Sequence, residues 1–491
     1  MCSFLVIPTD ISKTIDIDNI NQYLRLRGPD YTNALEFEGY IFLHNLLHIC
    51  GTITPQPFIC EKSRTVALFN GQIYNYRNFD QNFQSDGECL IPLYQEYGES
   101  FTEKLDGEFA IVLFDFENEK IILSSDIFAT KPLHYGIRNN KIFISSFELT
   151  LRRILSDNEV TIKKVPHNRS LVLDLKSLAV LNERRIFNFN LDQYKDSYDD
   201  WNNSFDNAIL KRTRSNNNSN KKIFTTLSSG QDSGIIVCCL EKLKVDFSSY
   251  TYFGREDVET LEKRLAGSGP SHKPNIMEYS EQDFSEESDY VHGILSKMEV
   301  TRINNFDVDR HNAAIALHSI MRKAREAGEI IFLSGHGGDE IYSNYGTLGA
   351  AVTEWQQPGR NRIGKSFPKD LSHVFPWKHF FKESMQNMIK KEELIGSIHG
   401  IEIRYPLMDK NVVQEFLSLT EKLKNECYKS CISRYLDIHK YPYKDGYKRG
   451  FKPSPPPFLA KSSDLGLFKI ISTEPEYYLN RLREYWRRLF I

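Results

Sequence analysis

The chain has 491 residues, more than one hydrophobic core can organise, so two or more domains are expected. Charged residues make up 26% and the formal net charge is −3, which excludes bulk attraction to nucleic acid or to an anionic membrane. No apolar run reaches the roughly 20 residues that cross a bilayer. The cysteines are too scattered for a disulfide framework and no secretory signal follows Met1, so we expect a cytoplasmic protein.

The first 190 or so residues contain short β-type runs separated by turn residues, a pattern typical of antiparallel sheet with a few helices. The strands predicted here cover residues 65–69, 109–114, 120–123, 141–145 and 170–174. A polar and aromatic stretch, residues 187–201, is predicted to link this part to the rest of the chain.

From Ile223 onward, short apolar strands alternate with helices, which indicates a parallel sheet. The predicted strands are residues 223–227, 249–253 and 329–333, and the predicted helices are 235–243 and 257–265. Because ligands bind beyond the carboxyl ends of parallel strands, the turns that follow the first and third of these strands are predicted to form a site.

These two turns are rich in small residues. The first, residues 228–234, reads SSGQDSG and opens a helix, where small side chains let the backbone approach a ligand and N–H groups bind phosphate. The second, residues 334–340, reads SGHGGDE. Asp232 and Asp339 are candidate ligands for a magnesium ion that bridges phosphates. Two such turns, each with an aspartate, predict a site for ATP and Mg²⁺.

The chain resembles the glutamine-hydrolysing asparagine synthetases from end to end. The family's motifs SGGxDS, SGxGxDE and K-x-G-F match residues 228–233, 334–340 and 448–451. Residues 1–2, 27–30, 70–75 and 106–110 look like the family's glutaminase domain. The resemblance implies an Ntn-type antiparallel αββα glutaminase-like domain over residues 2–190. It also implies a parallel-sheet α/β ATP-pyrophosphatase domain over residues 200–491, and dimers are common in the superfamily.

The resemblance also implies a chemistry. ATP is cleaved between its α and β phosphates, a small-molecule carboxylate becomes an acyl-adenylate, and ammonia released from glutamine displaces AMP. The implied ATP-binding residues are Leu227, Ser228, Ser229, Gly230, Gln231, Asp232, Ser233, Phe253, Ser334 and Gly335. Asp232 and Asp339 would hold magnesium, and Lys448 would neutralise charge at the reacting centre.

The amino-terminal half carries the implied glutaminase residues. If Met1 is removed, Cys2 has both a thiol that can attack the glutamine amide and an α-amine that can act as its base. Asn70 and the Gly71 N–H would form the oxyanion hole. The implied glutamine-binding residues are Asn70, Gly71, Gln72 and Glu88.

Several positions depart from the family pattern. Leu46 stands where the family has an arginine that clamps the glutamine α-carboxylate, Gln72 replaces a glutamate, and Glu88 replaces an aspartate. In the second ATP loop His336 replaces a glutamate near the reacting amine, where a neutral imidazole can serve as a base. Glu392 or Glu393 is predicted to orient such a base. Changes at this position resemble those in lasso-peptide cyclases and β-lactam synthetases.

Two enzymatic hypotheses follow, and a third, a non-catalytic scaffold or regulatory homologue, conflicts with the presence of Asp232, Asp339 and Lys448. The leading one is a glutamine- or ammonia-dependent amidotransferase that makes asparagine or amidates a related carboxylate, as Cys2 and Asn70 indicate. The alternative is an ATP-dependent amide ligase, or a macrolactam- or β-lactam-type cyclase, that uses an amine of its substrate and has a degenerate glutaminase domain. Leu46, Gln72 and His336 favour this alternative.

Overall fold

The computed structural model describes residues 1–49, 51–155, 160–214, 222–252, 256–277, 281–297, 302–303, 306–307, 312–343 and 367–444. Two six-stranded antiparallel sheets lie in the amino-terminal half, and a five-stranded parallel sheet lies in the carboxyl-terminal half. None of the helices in these ranges combines the length and the hydropathy that a membrane crossing requires.

The amino-terminal half contains twelve strands and four helices within the described residues. The strands are β1 (Ser3–Pro8), β2 (Tyr31–Phe37), β3 (Tyr40–Leu46), β4 (Phe58–Cys60), β5 (Thr65–Ile73), β6 (Gly107–Asp115), β7 (Lys120–Ser125), β8 (His134–Arg138), β9 (Lys141–Ser145), β10 (Lys163–Lys164), β11 (Arg169–Asp174) and β12 (Val180–Arg185). The helices are α1 (Thr9–Ser12), α2 (Ile17–Arg27), α3 (Leu90–Tyr97) and α4 (Glu148–Leu155).

These elements form four layers. One sheet has the order β10-β8-β9-β1-β3-β2 and the other has the order β12-β11-β7-β6-β5-β4. Their facing sides share an apolar core that includes Phe4, Phe42, Leu68, Val112 and Phe114. Helices α2 and α4 pack on the outer side of the first sheet, and α3 packs on the outer side of the second. The αββα architecture predicted from the sequence is confirmed.

The carboxyl-terminal half alternates helices with strands along the parallel sheet. In chain order the elements are α5 (Asp199–Arg214), β13 (Lys222–Thr226), α6 (Gln231–Lys242), β14 (Phe247–Tyr252), α7 (Val258–Ala266), β15 (His272–Met277), α8 (Glu281–Lys297), β16 (Arg302–Ile303), β17 (Phe306–Asp307), α9 (Asn312–Glu326), β18 (Glu329–Leu333), α10 (Gly338–Tyr342), α11 (Ser384–Ile398), β19 (Glu402–Arg404), α12 (Lys410–Ser418), α13 (Glu421–Lys424) and α14 (Ser430–Ile438). The parallel order is β15-β14-β13-β18-β19, so the predicted parallel α/β sheet is confirmed.

The strand order explains why the two predicted turns meet. Strands β13 and β18 are direct parallel neighbours, with Thr225 opposite Leu333 near their carboxyl ends. The loops that follow them therefore leave the same edge of the sheet side by side. That edge is the expected place for a ligand in an open parallel sheet.

Candidate functional site

Cys2 lies just ahead of β1, in the buried region where the two halves meet. The side chain of Met1 joins the apolar core of the carboxyl-terminal half and is 1% exposed. Burial raises the pKa of the Cys2 thiol to about 11 and lowers the pKa of the Met1 amine to about 5. A thiol with a raised pKa is a poor nucleophile, so the chain with Met1 attached holds Cys2 in an unreactive form.

Asn70 and Gly71 lie near the end of β5. Gly71 has φ of +136°, and a Cβ there would lie 1.9 Å from the backbone oxygen of Glu108, so only glycine fits. The Asn70 side chain is fully buried, and neither its Nδ2 nor its Oδ1 has a hydrogen-bond partner in the part of the chain that the structure describes. An unpartnered buried amide costs about 1–3 kcal/mol, which indicates that it is kept for a ligand.

Asp86 is a buried acid of this site that the sequence reasoning missed. Its Oδ2 accepts hydrogen bonds from the Ile73 amide and from Gln72 Nε2, both at 2.8 Å, and its charge acts on the Cys2 thiol. Burial raises its pKa to about 7. Glu88 instead accepts a 2.8 Å hydrogen bond from the Gln84 amide in an exposed turn. Asp86 therefore packs against the strand that carries Asn70 and Gly71, whereas the carboxylate of the predicted Glu88 binds a loop amide.

Two of the departures from the family pattern also have clear positions. Leu46 ends β3 and is buried, so it leaves no cation where the family has its arginine. The Gln72 side chain joins the halves, because its Oε1 accepts a 2.9 Å hydrogen bond from Arg404 while its Nε2 binds Asp86. The Gln72 amide therefore bridges a buried acid of the amino-terminal half and a buried arginine of the carboxyl-terminal half.

Buried ion pairs hold the two halves together. Glu393 of α11 accepts from Arg27 at 2.5 Å and from Lys131 at 2.9 Å, and all three side chains are at most 4% exposed. Arg27 also donates to the backbone oxygen of Cys2 at 2.7 Å. This contact fixes the segment that carries the candidate nucleophile against the carboxyl-terminal half.

Removing Arg212 is expected to destabilise the fold strongly. The Arg212 guanidinium lies 2.8 Å from both Glu108 of β6 and Asp409, and all three side chains are buried. Burial by itself would raise the pKa of Asp409, but the cations of Lys211 and Arg212 outweigh it and hold that pKa well below its usual range. We expect Arg212→Met to lower the free energy of unfolding by about 3–5 kcal/mol, because Glu108 loses its nearest cation.

Urea denaturation monitored by fluorescence measures this change. The control is Arg434→Met, which removes an exposed ion pair with Glu426 and is expected to cost less than about 1 kcal/mol. Equal losses in the two variants would contradict a stabilising role for the buried cluster.

The two glycine-rich loops, residues 228–234 and 334–340, touch closely at Asp232. A Cβ on Gly338 would lie 2.1 Å from Asp232 Oδ1, and a Cβ on Gly335 would lie 2.8 Å from the Asp232 backbone oxygen. Only glycine can occupy these positions without displacing the loops. The sequence prediction that both turns belong to one site is consistent with this contact, which brings Asp232 and Asp339 to the same place.

Lys429 joins the two predicted metal ligands. Its ammonium is buried, lies 2.8 Å from Asp339 and pairs with Asp232 at still closer range. Tyr428 donates a 2.6 Å hydrogen bond to Asp339. Two carboxylates that converge on one cation fit the donor set of a Mg²⁺ site, in which one or two carboxylates act together with phosphate oxygens. Lys429 gave no motif signal, because it lies far along the chain from both loops.

The backbone of the first loop is held by side chains from several elements. Ser228 and Ser233 hydroxyls are 2.7 Å apart, and the Gly230 amide donates to Ser228 Oγ at 3.1 Å. Arg264, which is 1% exposed, donates to the Gly230 oxygen at 2.9 Å from below the loop. The loop thus opens α6 with its helix N-terminus directed at the site.

Three other predicted residues in this region have defined partners. Ser229 donates from its amide and hydroxyl to Glu256 at 2.6 and 2.5 Å, and Gln231 Nε2 donates to Ser433 at 2.8 Å. Leu227 is buried at the end of β13. Phe253 and Lys448, predicted for ATP binding and catalysis, lie outside the described residues.

His336 lies beside the second loop with both ring nitrogens near protein atoms. Its Nε2 is 3.2 Å from the Met385 backbone oxygen, and its Nδ1 is 3.8 Å from Glu340. A ring that donates from Nε2 keeps its lone pair on Nδ1. The predicted orienting acids do not hydrogen-bond to the ring, because Glu392 accepts from Ser334 at 2.8 Å and Glu393 is bound to the interface cations.

Comparison with known proteins agrees with this architecture. Residues 1–187 match the glutamine amidotransferase domain family, and residues 201–379 match the asparagine synthase family. A putative glutamine-hydrolysing asparagine synthetase of Methanocaldococcus jannaschii is 25% identical over 78% of this chain and 69% of its own length. Glutamine-hydrolysing asparagine synthetases of Oryza sativa and Escherichia coli are 24% and 23% identical over 86% and 85% of this chain, and 70% and 76% of their own lengths.

The fold and the two sites define a glutamine amidotransferase joined to an ATP-dependent carbon–nitrogen ligase. An amidotransferase domain thus precedes an asparagine synthase domain, and over most of its length the chain is similar to glutamine-hydrolysing asparagine synthetases.

Proposed function

We propose that the chain uses ATP to convert a carboxylate into an acyl-adenylate and transfers ammonia from glutamine to it. The carrying observation is the convergence of Asp232 and Asp339 on one buried cation between two glycine-rich loops. A carboxylate is a poor electrophile, and its anhydride with AMP provides a good leaving group. Aspartate or a related amino-acid carboxylate is the proposed acceptor, because the curated relatives are asparagine synthetases.

In the proposed ATP site, loop amides and serine hydroxyls bind the phosphates at the start of α6. Asp232 and Asp339 would hold Mg²⁺, which neutralises pyrophosphate charge when it is bound. Lys429 keeps these carboxylates together and offers a cation to the leaving pyrophosphate. Lys448 is proposed to stabilise charge at the reacting carboxylate, with Leu227 and Phe253 beside the nucleotide.

In the proposed glutaminase site, the Cys2 thiol attacks the glutamine amide after Met1 has been removed. The freed α-amine takes the thiol proton and returns it to the leaving ammonia, and water then hydrolyses the thioester to glutamate. The Asn70 amide and the Gly71 N–H stabilise the oxyanion in both steps. Asp86 is proposed to bind the glutamine ammonium. With Leu46 in place of arginine, the glutamine carboxylate loses a charged hydrogen bond worth roughly 1.5–3 kcal/mol, so glutamine binding is weak.

One assay tests the proposal and separates it from the alternative. The purified protein is incubated with ATP, Mg²⁺, aspartate and either glutamine or ammonium, and glutamate, AMP and pyrophosphate are measured. Glutamate release coupled to AMP formation supports the amidotransferase. If AMP forms equally well without glutamine and without ammonium, but only when the substrate carries an amine, the protein is the ligase or cyclase and the amidotransferase is contradicted. No nucleotide turnover with any acceptor carboxylate would contradict both.

Asp86 is expected to give glutamine use a pH dependence near neutrality. Burial raises its pKa to about 7, so the carboxylate is protonated below that pH and no longer attracts the glutamine ammonium. About half of the Asp86 carboxyls are ionised at pH 7 and about one tenth at pH 6, so we expect KM for glutamine to rise about fivefold between these pH values. KM for ammonia, calculated for the unprotonated NH3 that reacts, is expected to show no matching change.

The Asp86→Asn variant removes the charge at every pH. We expect its KM for glutamine to be about 10–100-fold higher and to lose the rise below pH 7. The matched control is Glu88→Gln, whose exposed carboxylate binds Gln84 and is expected to leave KM within about twofold. A larger rise in KM for glutamine in Glu88→Gln than in Asp86→Asn would instead support Glu88, the acid that the sequence predicted.

The domain limits 2–190 and 200–491, a homodimer and a cytoplasmic location stay predictions.

A further inference from the structure

A cavity lies at the boundary between the halves, outside both sites described above. Its volume is about 420 Å³, within the range of small-molecule pockets. Its apolar walls come from α2, the start of α4 and α11, and consist of Ile20, Tyr23, Phe147, Leu149, Ile389 and Leu394. A pocket with two aromatic rings and aliphatic neighbours suits a flat apolar body.

The charges that line this cavity are mainly positive. Lys164 of β10 and Lys390 of α11 line it from opposite halves. The acids that line it already have partners, because Glu148 is paired with Arg152 and Glu393 is bound to the two interface cations. Lys390 reaches Glu148 only at 4.0 Å. The two lysines therefore leave an excess of positive charge at the cavity.

A third cation and a neutral histidine also line the cavity. Arg153 stacks over the Tyr23 ring at 4.7 Å and brings a third cation to the lining. His134 is 7% exposed, and its Nδ1 lies 3.3 Å from the Ser146 oxygen. Across the described ranges no side chain hydrogen-bonds to its Nε2. Burial lowers the pKa of His134 to about 3, so its ring is neutral at pH 7. Because Nδ1 donates to the Ser146 oxygen, Nε2 carries a lone pair and can accept a hydrogen bond only from a protonated oxygen of a bound phosphate.

Like charges from the two halves repel each other here. Lys164 is exposed along much of its side chain, but its ammonium lies against α11 and donates to Gln386 at 2.6 Å. Desolvation of this ammonium and the charge of Lys390 lower the pKa of Lys164 to about 8. An anion between the two lysines would offset this repulsion, so a bound anion lowers the electrostatic energy of the two ammonium groups relative to the empty cavity.

We propose that this cavity binds a phosphate monoester with an aromatic body, whose phosphate lies between Lys164 and Lys390. A phosphate monoester carries about −1.5 to −2 charges at pH 7, which matches two lysines better than a single carboxylate does. The aromatic body packs between Tyr23 and Phe147. Because the two lysines belong to different halves, the ligand binds both halves at once and strengthens their contact.

Pyridoxal 5′-phosphate is a direct probe of this site. It carries a phosphate on an aromatic ring, and its aldehyde condenses with an unprotonated amine to an imine that borohydride reduces. Peptide mapping of the full chain then gives the labelling rate of each lysine. We expect Lys164 to be labelled at least ten times faster than the exposed Lys62, and at least ten times faster by the probe than by pyridoxal, which has no phosphate.

Competition and substitution complete the test. Phenyl phosphate is expected to protect Lys164 at a concentration at least tenfold below that of inorganic phosphate. Lys390→Gln is expected to slow labelling of Lys164 about tenfold, and its matched control Lys62→Gln is expected to leave the rate unchanged. Labelling of Lys164 no faster than that of Lys62, equal rates with pyridoxal, or no protection by phenyl phosphate would each overturn the proposal. The wild-type comparisons decide the matter even if a variant fails to fold.

Discussion

Asp232→Asn is expected to lower the rate of ATP-dependent AMP and pyrophosphate formation by about 1000-fold. The Asp232 carboxylate lies between the two ATP loops and pairs with the Lys429 ammonium that also binds Asp339. The neutral amide keeps the shape of the side chain but removes a metal ligand, so charge on the leaving pyrophosphate is left less neutralised. Pyrophosphate release, followed with a coupled enzyme assay at saturating glutamine or ammonium, measures the change.

Asp339→Asn is expected to give a loss of similar size, and the double variant is expected to be only slightly worse than either single one. Residues that act as one unit are strongly non-additive. The matched control is Glu262→Gln on the exposed face of α7, which is expected to leave the rate within about twofold. Losses that simply multiply in the double variant would show that the two carboxylates do not serve one cation.

Cys2→Ala is expected to abolish glutamine-dependent activity, with a loss of at least about 1000-fold in glutamate release, because it removes the thiol proposed to attack the glutamine amide. Ammonium-dependent AMP formation is expected to stay within about twofold, since the ATP loops lie at the edge of a different sheet. Glutamate and AMP are measured in parallel reactions with glutamine or ammonium as the nitrogen donor.

Cys60→Ala is the matched control. Hydrogen bonds from Ser63 lower the pKa of the Cys60 thiol, so this half-buried thiol tests for adventitious reactivity away from the site. Mass spectrometry of the intact protein should also find Met1 removed from the active enzyme. Activity with glutamine in protein that fully retains Met1 would contradict the role given to the Cys2 α-amine, and full activity of Cys2→Ala would contradict the thiol mechanism.

Local patterns in the sequence predicted antiparallel sheet, a following parallel sheet and two phosphate-binding turns, whereas the αββα arrangement and the reaction were implied by the resemblance to asparagine synthetases. Five of the amino-terminal strands, the parallel sheet and the two glycine-rich turns could be recognised in the sequence. Each depends on short-range spacing and on the residue types that its backbone shape permits. Gly71, Gly335 and Gly338 illustrate this, since each sits where a Cβ would strike backbone or Asp232. The motifs that contain these three glycines could therefore be identified from the sequence without a structure.

Contacts between distant segments were beyond the reach of such patterns. Asp86 and Glu88 are two residues apart in one acidic turn, and only packing against β5 decides that Asp86 is buried with its pKa near 7 while Glu88 faces Gln84. Lys429 reaches Asp232 and Asp339, which precede it by 197 and 90 positions, and no spacing rule connects the three residues. The orientation of the His336 ring likewise depends on a distant segment, because its Nε2 contacts the Met385 backbone oxygen.

The difference between the features predicted from the sequence and those decided by the tertiary structure has a physical cause. Strand periodicity, glycine at constrained turns and the order of motifs are properties of neighbouring residues, and these fix the fold class, the family and the ATP loops from the chain alone. Burial, the pairing of charges across the two halves and the cavity between Lys164 and Lys390 arise only when segments far apart in sequence pack together. Charge interactions depend on distance and desolvation, so these features are decided by the tertiary structure.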